Sequence, residues 1–423
     1  MKRLRALVCA VTSIAALAAT VRLAAQGPQP NAPTTKKTQS FVVLHNFKGS
    51  DGANPTAGLV MGTLCRPAQL CRGPDGEWPD RAARNLYGTT GSGGTYGYGT
   101  VFKLGPFRHD MTVLYNFTGG SDGKWPYASV TPDREGNLYG TTSSGGDYEN
   151  GTVFKLDTFG NETVLHSFAG GSDGSHPLAG LMMDAAGNLY GTTYVGGADN
   201  NGTVFKLDSS GNETLLYTFT GGSDGGGPYA GCLITDAAGN FYGTTSYGGV
   251  YGFGTVFKLD TLGHETVLHS FHSSDGWAPY SGVIMDRAGN LYGTTGLGGT
   301  STNCSTGCGT VFRLDSSGQE SVLHTFTGLG GDGMIPLAGL IRDRLGNLYG
   351  TTAGGGSHGG GIVFKLDTSG HETVLHGFTG SDLAYSNGNL IMDRAGNLYG
   401  TTFWGGDSGS GTVFKIRGHA HGR

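Results

Sequence analysis

Charge is scarce in this chain. Asp, Glu, Lys and Arg make up 14% of the residues, against roughly 25% in ordinary soluble domains. The net charge is -5 and the 27 Lys and Arg are scattered singly. The basic stripe that a nucleic-acid binder needs is therefore missing, and no nucleic-acid partner is expected. Long apolar runs are missing too. The one candidate, Leu7 to Val21, is short for a bilayer span and is closed by Arg22. With Lys2, Arg3 and Arg5 before it and Leu23-Ala24-Ala25 after it, residues 1–25 read as an export signal, which leaves no stable membrane span once removed. Beyond that segment no helical periodicity of useful length occurs.

Glycine is what the chain has in excess, with 81 among 423 residues, and it recurs at fixed positions, so it marks turns and not disorder. Two phrases carry the recurrence. Leu-Tyr-Gly-Thr-Thr, or a close copy, begins at Leu86, Leu138, Leu189, Phe241, Leu291, Leu348 and Leu398. Gly-Thr-Val-Phe follows at Gly99, Gly151, Gly202, Gly254, Gly309, Gly361 and Gly411, with Ile362 in place of Thr in the sixth copy. The first phrase repeats at intervals of 52, 51, 52, 50, 57 and 50 residues, and a fixed period of this size governs the fold.

Each repeat holds four strand candidates, seen in residues 179–184, 188–193, 203–208 and 213–219. They are short, rich in β-branched and aromatic residues, and separated by Asp-x-x-Gly-Asn turns or Gly-rich loops. A four-stranded unit of this length repeated seven times predicts an all-β, seven-bladed β-propeller. The ends of the chain are offset by one strand. Phe41 to Phe47 is a fourth strand with no unit before it, and Thr412 to Ile416 is a third strand with no fourth after it. A ring resolves the mismatch, with the N-terminal strand completing the last blade. The expected organisation is a signal peptide (1–25), a polar Pro-rich leader (26–40), the propeller (41–416) and a short tail (417–423).

The unit Asp-x-x-Gly-Asn-Leu-Tyr-Gly-Thr-Thr, then Gly-Thr-Val-Phe-Lys-Leu-Asp, then Glu-Thr-Val-Leu-His-x-Phe, resembles the GloVer tandem repeat of bacterial "choice-of-anchor" proteins over residues 41–416. The resemblance implies an exported bacterial protein, secreted, periplasmic or at the cell surface, with no catalytic residues to carry over. Such proteins are often tethered by C-terminal anchors. This chain ends Ile416-Arg-Gly-His-Ala-His-Gly-Arg423 without an apolar tail, so such an anchor is not expected.

Candidate chemistry is sparse. One Asp per repeat (Asp51, Asp122, Asp173, Asp224, Asp275, Asp332, Asp382) lies in a Gly-rich loop. Each is read as an acceptor for its own turn, since a calcium site would need several oxygen ligands close together. His45, His166, His269, His324 and His376 share one outer-strand position with Tyr115 and Tyr217, and the exchange with Tyr points to packing and hydrogen bonding, not to metal or acid-base work. The basic residue of each third strand, such as Lys155, is expected to snorkel or to meet an outer-strand Glu such as Glu162 or Glu372. No catalytic residue, metal or cofactor is expected. Cys65–Cys71 and Cys304–Cys308 are read as loop disulfides, and Cys232 as a free thiol.

Aromatics are the most suggestive feature. Trp125, Trp277 and Trp404 fall in loops expected on one Gly-rich face, with Tyr96, Tyr98, Tyr148, Tyr251 and Phe403 in or beside neighbouring loops. Flat rings on rigid loops can stack on sugars or grip a peptide. The reading is a monomeric, non-catalytic scaffold that binds a glycan or cell-envelope polymer. The alternatives are a propeller glycosidase or polysaccharide lyase, since fold alone excludes neither, and a purely structural surface protein. An enzyme would require carboxylates converging at the channel mouth with perturbed pKa values.

Overall fold

In a computed structural model, residues 40–62, 85–106, 110–379, 385–386 and 388–418 are described. The expected signal and leader (except Ser40), Cys65, Cys71, Trp78 and Asp382 lie outside them, as does the end of the tail from residue 419. The described residues form seven four-stranded antiparallel sheets, each a blade of a β-propeller. Blade 3 is representative, with strands Met182–Met183, Leu189–Thr193, Thr203–Leu207 and Glu213–Thr218 from the inside outward. Among the described residues, helix is limited to one 3-10 turn, Gly171–Asp173, and no helix is long and apolar enough to cross a membrane.

The ring closes as the offset ends required. The outer strand of blade 7 is Phe41–Asn46, paired antiparallel with Thr412–Ile416 through Phe41↔Ile416 and Asn46↔Thr412. Phe47, fully buried, then meets Phe102 of blade 1 edge to face at 5.2 Å. That contact is one of seven. The Phe ending each outer strand packs on the third-strand Phe of the next blade, as in Phe168 on Phe205 and Phe378 on Phe414. The core is therefore a ring of inter-blade clusters, such as Val153, Phe168, Leu181, Leu189, Phe205 and Leu207 between blades 2 and 3.

The repeated phrase is consumed by this architecture. In blade 2, Leu138 enters the core and Tyr139 Oη donates to Asp133 at 3.2 Å. Thr141 Oγ1 donates to the Ala179 carbonyl of the next blade at 3.1 Å, and Thr142 Oγ1 pairs with Thr152 Oγ1 at 2.8 Å. The equivalent latch Thr401 to Ala57 (3.0 Å) ties blade 7 to blade 1. The turn aspartates take the expected role: Asp184 accepts from the backbone of Ala186 and Asn188 and from the side chains of Asn188 and Tyr190. Burial opposes ionisation of Asp184, but these hydrogen bonds outweigh it and hold the carboxyl below its ordinary range.

Every outer strand carries a β-bulge against its neighbour, in blade 3 between the Val204↔Tyr217 and Phe205↔Leu215 pairs. A bulge re-aims side chains. Here Leu216 and Tyr217, adjacent in sequence, both pack against one core cluster. Leu114 and Tyr115 do the same in blade 1.

Candidate functional site

The loops entering each blade and the loops joining its second and third strands share one face. They are bridged by short antiparallel contacts, Lys124 with Ser144, Ser175 with Val195 and Trp277 with Leu297. In most blades one residue of the entering loop holds a positive φ without being glycine, including Trp125 (60°), His176 (57°) and Ala278 (53°). Such a conformation persists only where the surroundings over-determine it, and here both backbone groups are committed. Trp125 N donates to the Tyr98 carbonyl of blade 1 at 2.9 Å, while its own carbonyl accepts from Ser143 of blade 2 at 3.1 Å. The strained residue stitches adjacent blades, so the loop face is rigid.

On that platform the predicted aromatics divide into two groups. Tyr96, Tyr148 and Tyr251 occupy the same register, two residues past the Gly-Gly pair in loops of blades 1, 2 and 4, and are 57%, 59% and 57% exposed. Tyr98 is also exposed and lies over Gly119. The three tryptophans read as candidate stacking residues are not fully exposed; all three are half-buried. Trp277 meets Phe253 edge to face at 5.3 Å. Trp404 lies 4.8 Å from Tyr385 and 5.1 Å from Phe403, against a cluster with Ile335 and Leu337. Trp125 has Lys124 Nζ 5.4 Å from its ring. The structure brings together Tyr251 and His272 (5.8 Å) beside the Phe253–Trp277 pair. Nearer the axis, Tyr229 sits between Tyr194 and Tyr280 at 5.5 and 5.3 Å. Tyr127, Tyr229 and Tyr280, which follow the loop Pro in their blades, pack in the same way, and burial raises the Tyr127 hydroxyl to about 12.

Cys304 and Cys308 are joined in a disulfide within the long loop of blade 5. Cys232 is a free, half-buried thiol whose pKa burial pushes up.

At the outer rim, one of the two alternatives expected for the third-strand lysines, contact with an outer-strand Glu, is not found among the described residues. Third-strand lysines do not reach the outer-strand glutamates; Lys155, Lys206 and Lys415 lie over the second-strand rings of Tyr139, Tyr190 and Tyr399 at 5.7, 5.9 and 5.1 Å. The glutamates turn instead toward the loop Asp of the preceding blade junction. Burial first, and the adjacent Asp second, raise Glu162, Glu213, Glu265, Glu320 and Glu372 each to about 7. Sequence reasoning passed over this pairing. Its signal was a Glu at one outer-strand register in five blades, replaced by Met111 and Phe41 in the other two. Two inter-blade grooves also open among the turns, one of about 550 Å³ lined by Met182, Tyr190, Lys206, Leu216 and Phe241 among others. The second, of about 820 Å³, lies one blade earlier beside Asp133, Tyr139 and Lys155.

Among solved structures, the fold resembles an oligogalacturonate lyase in complex with manganese, at 10% identity over 92% of this chain and 95% of that one, with a TM-score of 0.54. It also resembles the GH74 enzyme of Niastella koreensis, at 13% identity over 89% of this chain and 53% of that one, with a TM-score of 0.55. At these identities the likeness concerns the fold alone. A search of curated proteins finds no sequence match. The sequence profile of the Gloeobacter/Verrucomicrobia repeat matches residues 71–184, 148–305 and 297–422. Its repeated residues are the ones that the blades use for core packing, turns and inter-blade latches, and the chain belongs to that repeat family.

Proposed function

We propose that the protein is a non-catalytic binding scaffold of the bacterial cell envelope, recognising a glycan or envelope polymer through its Gly-rich loop face. The observation that carries this reading is the repeated presentation of Tyr96, Tyr148 and Tyr251, more than half exposed at one loop register on three blades. An exposed ring on a rigid loop loses little entropy when a ligand stacks on it. The three tyrosines lie in loops of blades 1, 2 and 4, on one side of the ring. That spacing suits an extended polymer making several weak contacts better than a small metabolite.

The enzyme reading would need a unique convergence of carboxylates on the loop face. The perturbed carboxylates found here recur in five copies at the outer strands, and repetition with burial favours a structural role. Affinity electrophoresis through gels carrying soluble envelope and plant polysaccharides, together with peptidoglycan pull-down, tests the proposal. The wild-type chain is expected to be retarded or captured by at least one polymer. The triple change Tyr96→Ala, Tyr148→Ala, Tyr251→Ala should abolish that with an unchanged melting curve. Retention unaltered in the triple variant would refute it.

A further inference from the structure

Among the described residues, three blade junctions gather a His, an Asp and a Glu whose packing on Phe and turn hydrogen bonds leave facing polar atoms unused. Between blades 2 and 3, the outer-strand His166, the loop Asp173 and the next outer strand's Glu213 each place one donor atom within 4.8 Å of the other two. The same arrangement recurs as His269, Asp275 and Glu320 between blades 4 and 5, and as His324, Asp332 and Glu372 between blades 5 and 6. A β-bulge precedes each His. His166 Nε2 lies 3.4 Å from Asp173 Oδ2, and His324 Nε2 lies 3.5 Å from Asp332 Oδ1.

A second observation concerns the state of these atoms. His166 Nε2, Asp173 Oδ1 and Glu213 Oε1 are all buried, and none has a hydrogen-bond partner of acceptable geometry. At the third junction His324 Nε2 and Glu372 Oε1 are likewise orphaned, whereas at the second His269 Nε2 already bonds Asp275 Oδ2 at 3.1 Å and only Glu320 Oε1 is left over. Buried polar atoms are normally satisfied, so several orphans facing one another require an explanation. The chain contains its own contrast. Where Tyr replaces His, the loop Asp is saturated: Tyr115 Oη donates to Asp122 Oδ2 at 3.0 Å and Thr118 Oγ1 to Oδ1 at 2.6 Å. Tyr217 and Thr220 treat Asp224 likewise, at 3.1 and 2.5 Å. In those two junctions only the Glu oxygen is left over, which a single proton can satisfy. A proton on Glu213 can be shared with Asp173 Oδ1, but His166 Nε2, 3.4 Å from Asp173 Oδ2, still lacks a hydrogen bond of good geometry.

We propose that the His–Asp–Glu junctions, His166–Asp173–Glu213 foremost, bind a divalent transition-metal cation of the zinc or manganese type. One imidazole nitrogen and two carboxylate oxygens form a donor set such cations accept, with remaining positions left to water. The two carboxylates match the charge of the ion, which removes the electrostatic cost of burying them as a pair. Because His166 and Asp173 come from one blade edge and Glu213 from the next, a bound ion ties the two blades together at their outer strands. The sites are separate from the loop face and independent of what that face binds.

The test uses the full chain, with tail residues His419→Ala and His421→Ala changed to remove a competing donor pair. After treatment with chelator, Zn²⁺, Co²⁺ and Mn²⁺ are added in turn, and bound metal and thermal midpoint are measured. The expected result is saturable binding of up to three ions per chain, a visible Co²⁺ absorption band and a raised midpoint. The variant His166→Tyr, His269→Tyr, His324→Tyr copies the residue that blades 1 and 3 already carry at this position, so it should fold and lose all three effects. His166→Tyr alone should lose one equivalent. Equal binding by the parent and the triple variant would overturn the proposal, as would no saturable binding and no shift of midpoint with any of the three ions.

Discussion

Gly191 faces Phe205 across the second and third strands of blade 3, and a β-carbon on Gly191 would stand 2.6 Å from the Phe205 ring. Gly191 does not take a positive φ; its lack of a side chain makes room for a ring. The equivalent pair recurs in every blade, Gly88 with Phe102 and Gly400 with Phe414 among them. Gly191→Ala therefore forces the Phe off its place against Phe168, an overpacking that costs about 1–3 kcal/mol. Chemical denaturation of the variant should show the loss. Because Gly187 has a φ of +85°, its own Ala variant carries backbone strain. The unstrained comparison is Gly120→Ala, where a β-carbon meets nothing nearer than 3.6 Å. A loss at Gly191 no larger than at Gly120 would contradict the ring-contact explanation.

Ring closure rests on the N-terminal strand. Phe47 is fully buried against Phe102, and Phe47→Ala is expected to cost roughly 3–5 kcal/mol. Deletion of residues 26–47 should do more, because it also bares the edge of Thr412–Ile416 and invites association. Light scattering on heating should reveal this. An unchanged midpoint on deletion would contradict a closed ring.

The five rim glutamates set a pH dependence. Their carboxyls are raised from the ordinary 4.5 to about 7 in the folded protein, so the folded state binds protons more tightly than the unfolded one. Their stabilising effect is fully present below pH 4.5 and is lost as pH rises through about 7. In metal-free buffer the melting temperature should fall across that window, and Glu213→Gln should make the slope shallower. A flat profile in the wild type would show that these carboxyls are ionised throughout.

Cys304 and Cys308 are four residues apart, so their bond closes a small loop and should contribute only about 2 kcal/mol on chain-entropy grounds. The double change to Ser should lower the midpoint slightly and leave the fold cooperative. Non-reducing peptide mapping should find Cys304 linked to Cys308 and Cys232 slow to alkylate, given its raised pKa.

Trp404 and Tyr148 should respond oppositely to truncation. Trp404 packs beside Tyr385 and Phe403, so Trp404→Ala should destabilise, though by less than the roughly 3–5 kcal/mol of a fully buried aromatic. Tyr148 is 59% exposed, and Tyr148→Ala should leave the melting curve within about 0.5 kcal/mol of the parent.

The period of the Leu-Tyr-Gly-Thr-Thr phrase and the unmatched strand Phe41 to Phe47 were enough to determine a seven-bladed ring and the way it closes. Strand patterning and turn chemistry are local, and each copy repeated the same evidence. The turn role of Asp184 and the pairing of Cys304 with Cys308 were legible for the same reason: the partners lie within a few residues. What only the tertiary structure decided involves partners one repeat apart. The Glu213 carboxylate meets His166 and Asp173 across a blade junction, and no spacing within a repeat announces it. The burial of Trp404 depends both on Tyr385, in the loop entering its own blade, and on Ile335, in the loop entering the preceding blade. The physical reason is the same in both cases. A propeller buries its core and its charges between blades, so the groups that fix a side chain's exposure and protonation belong to the adjacent repeat.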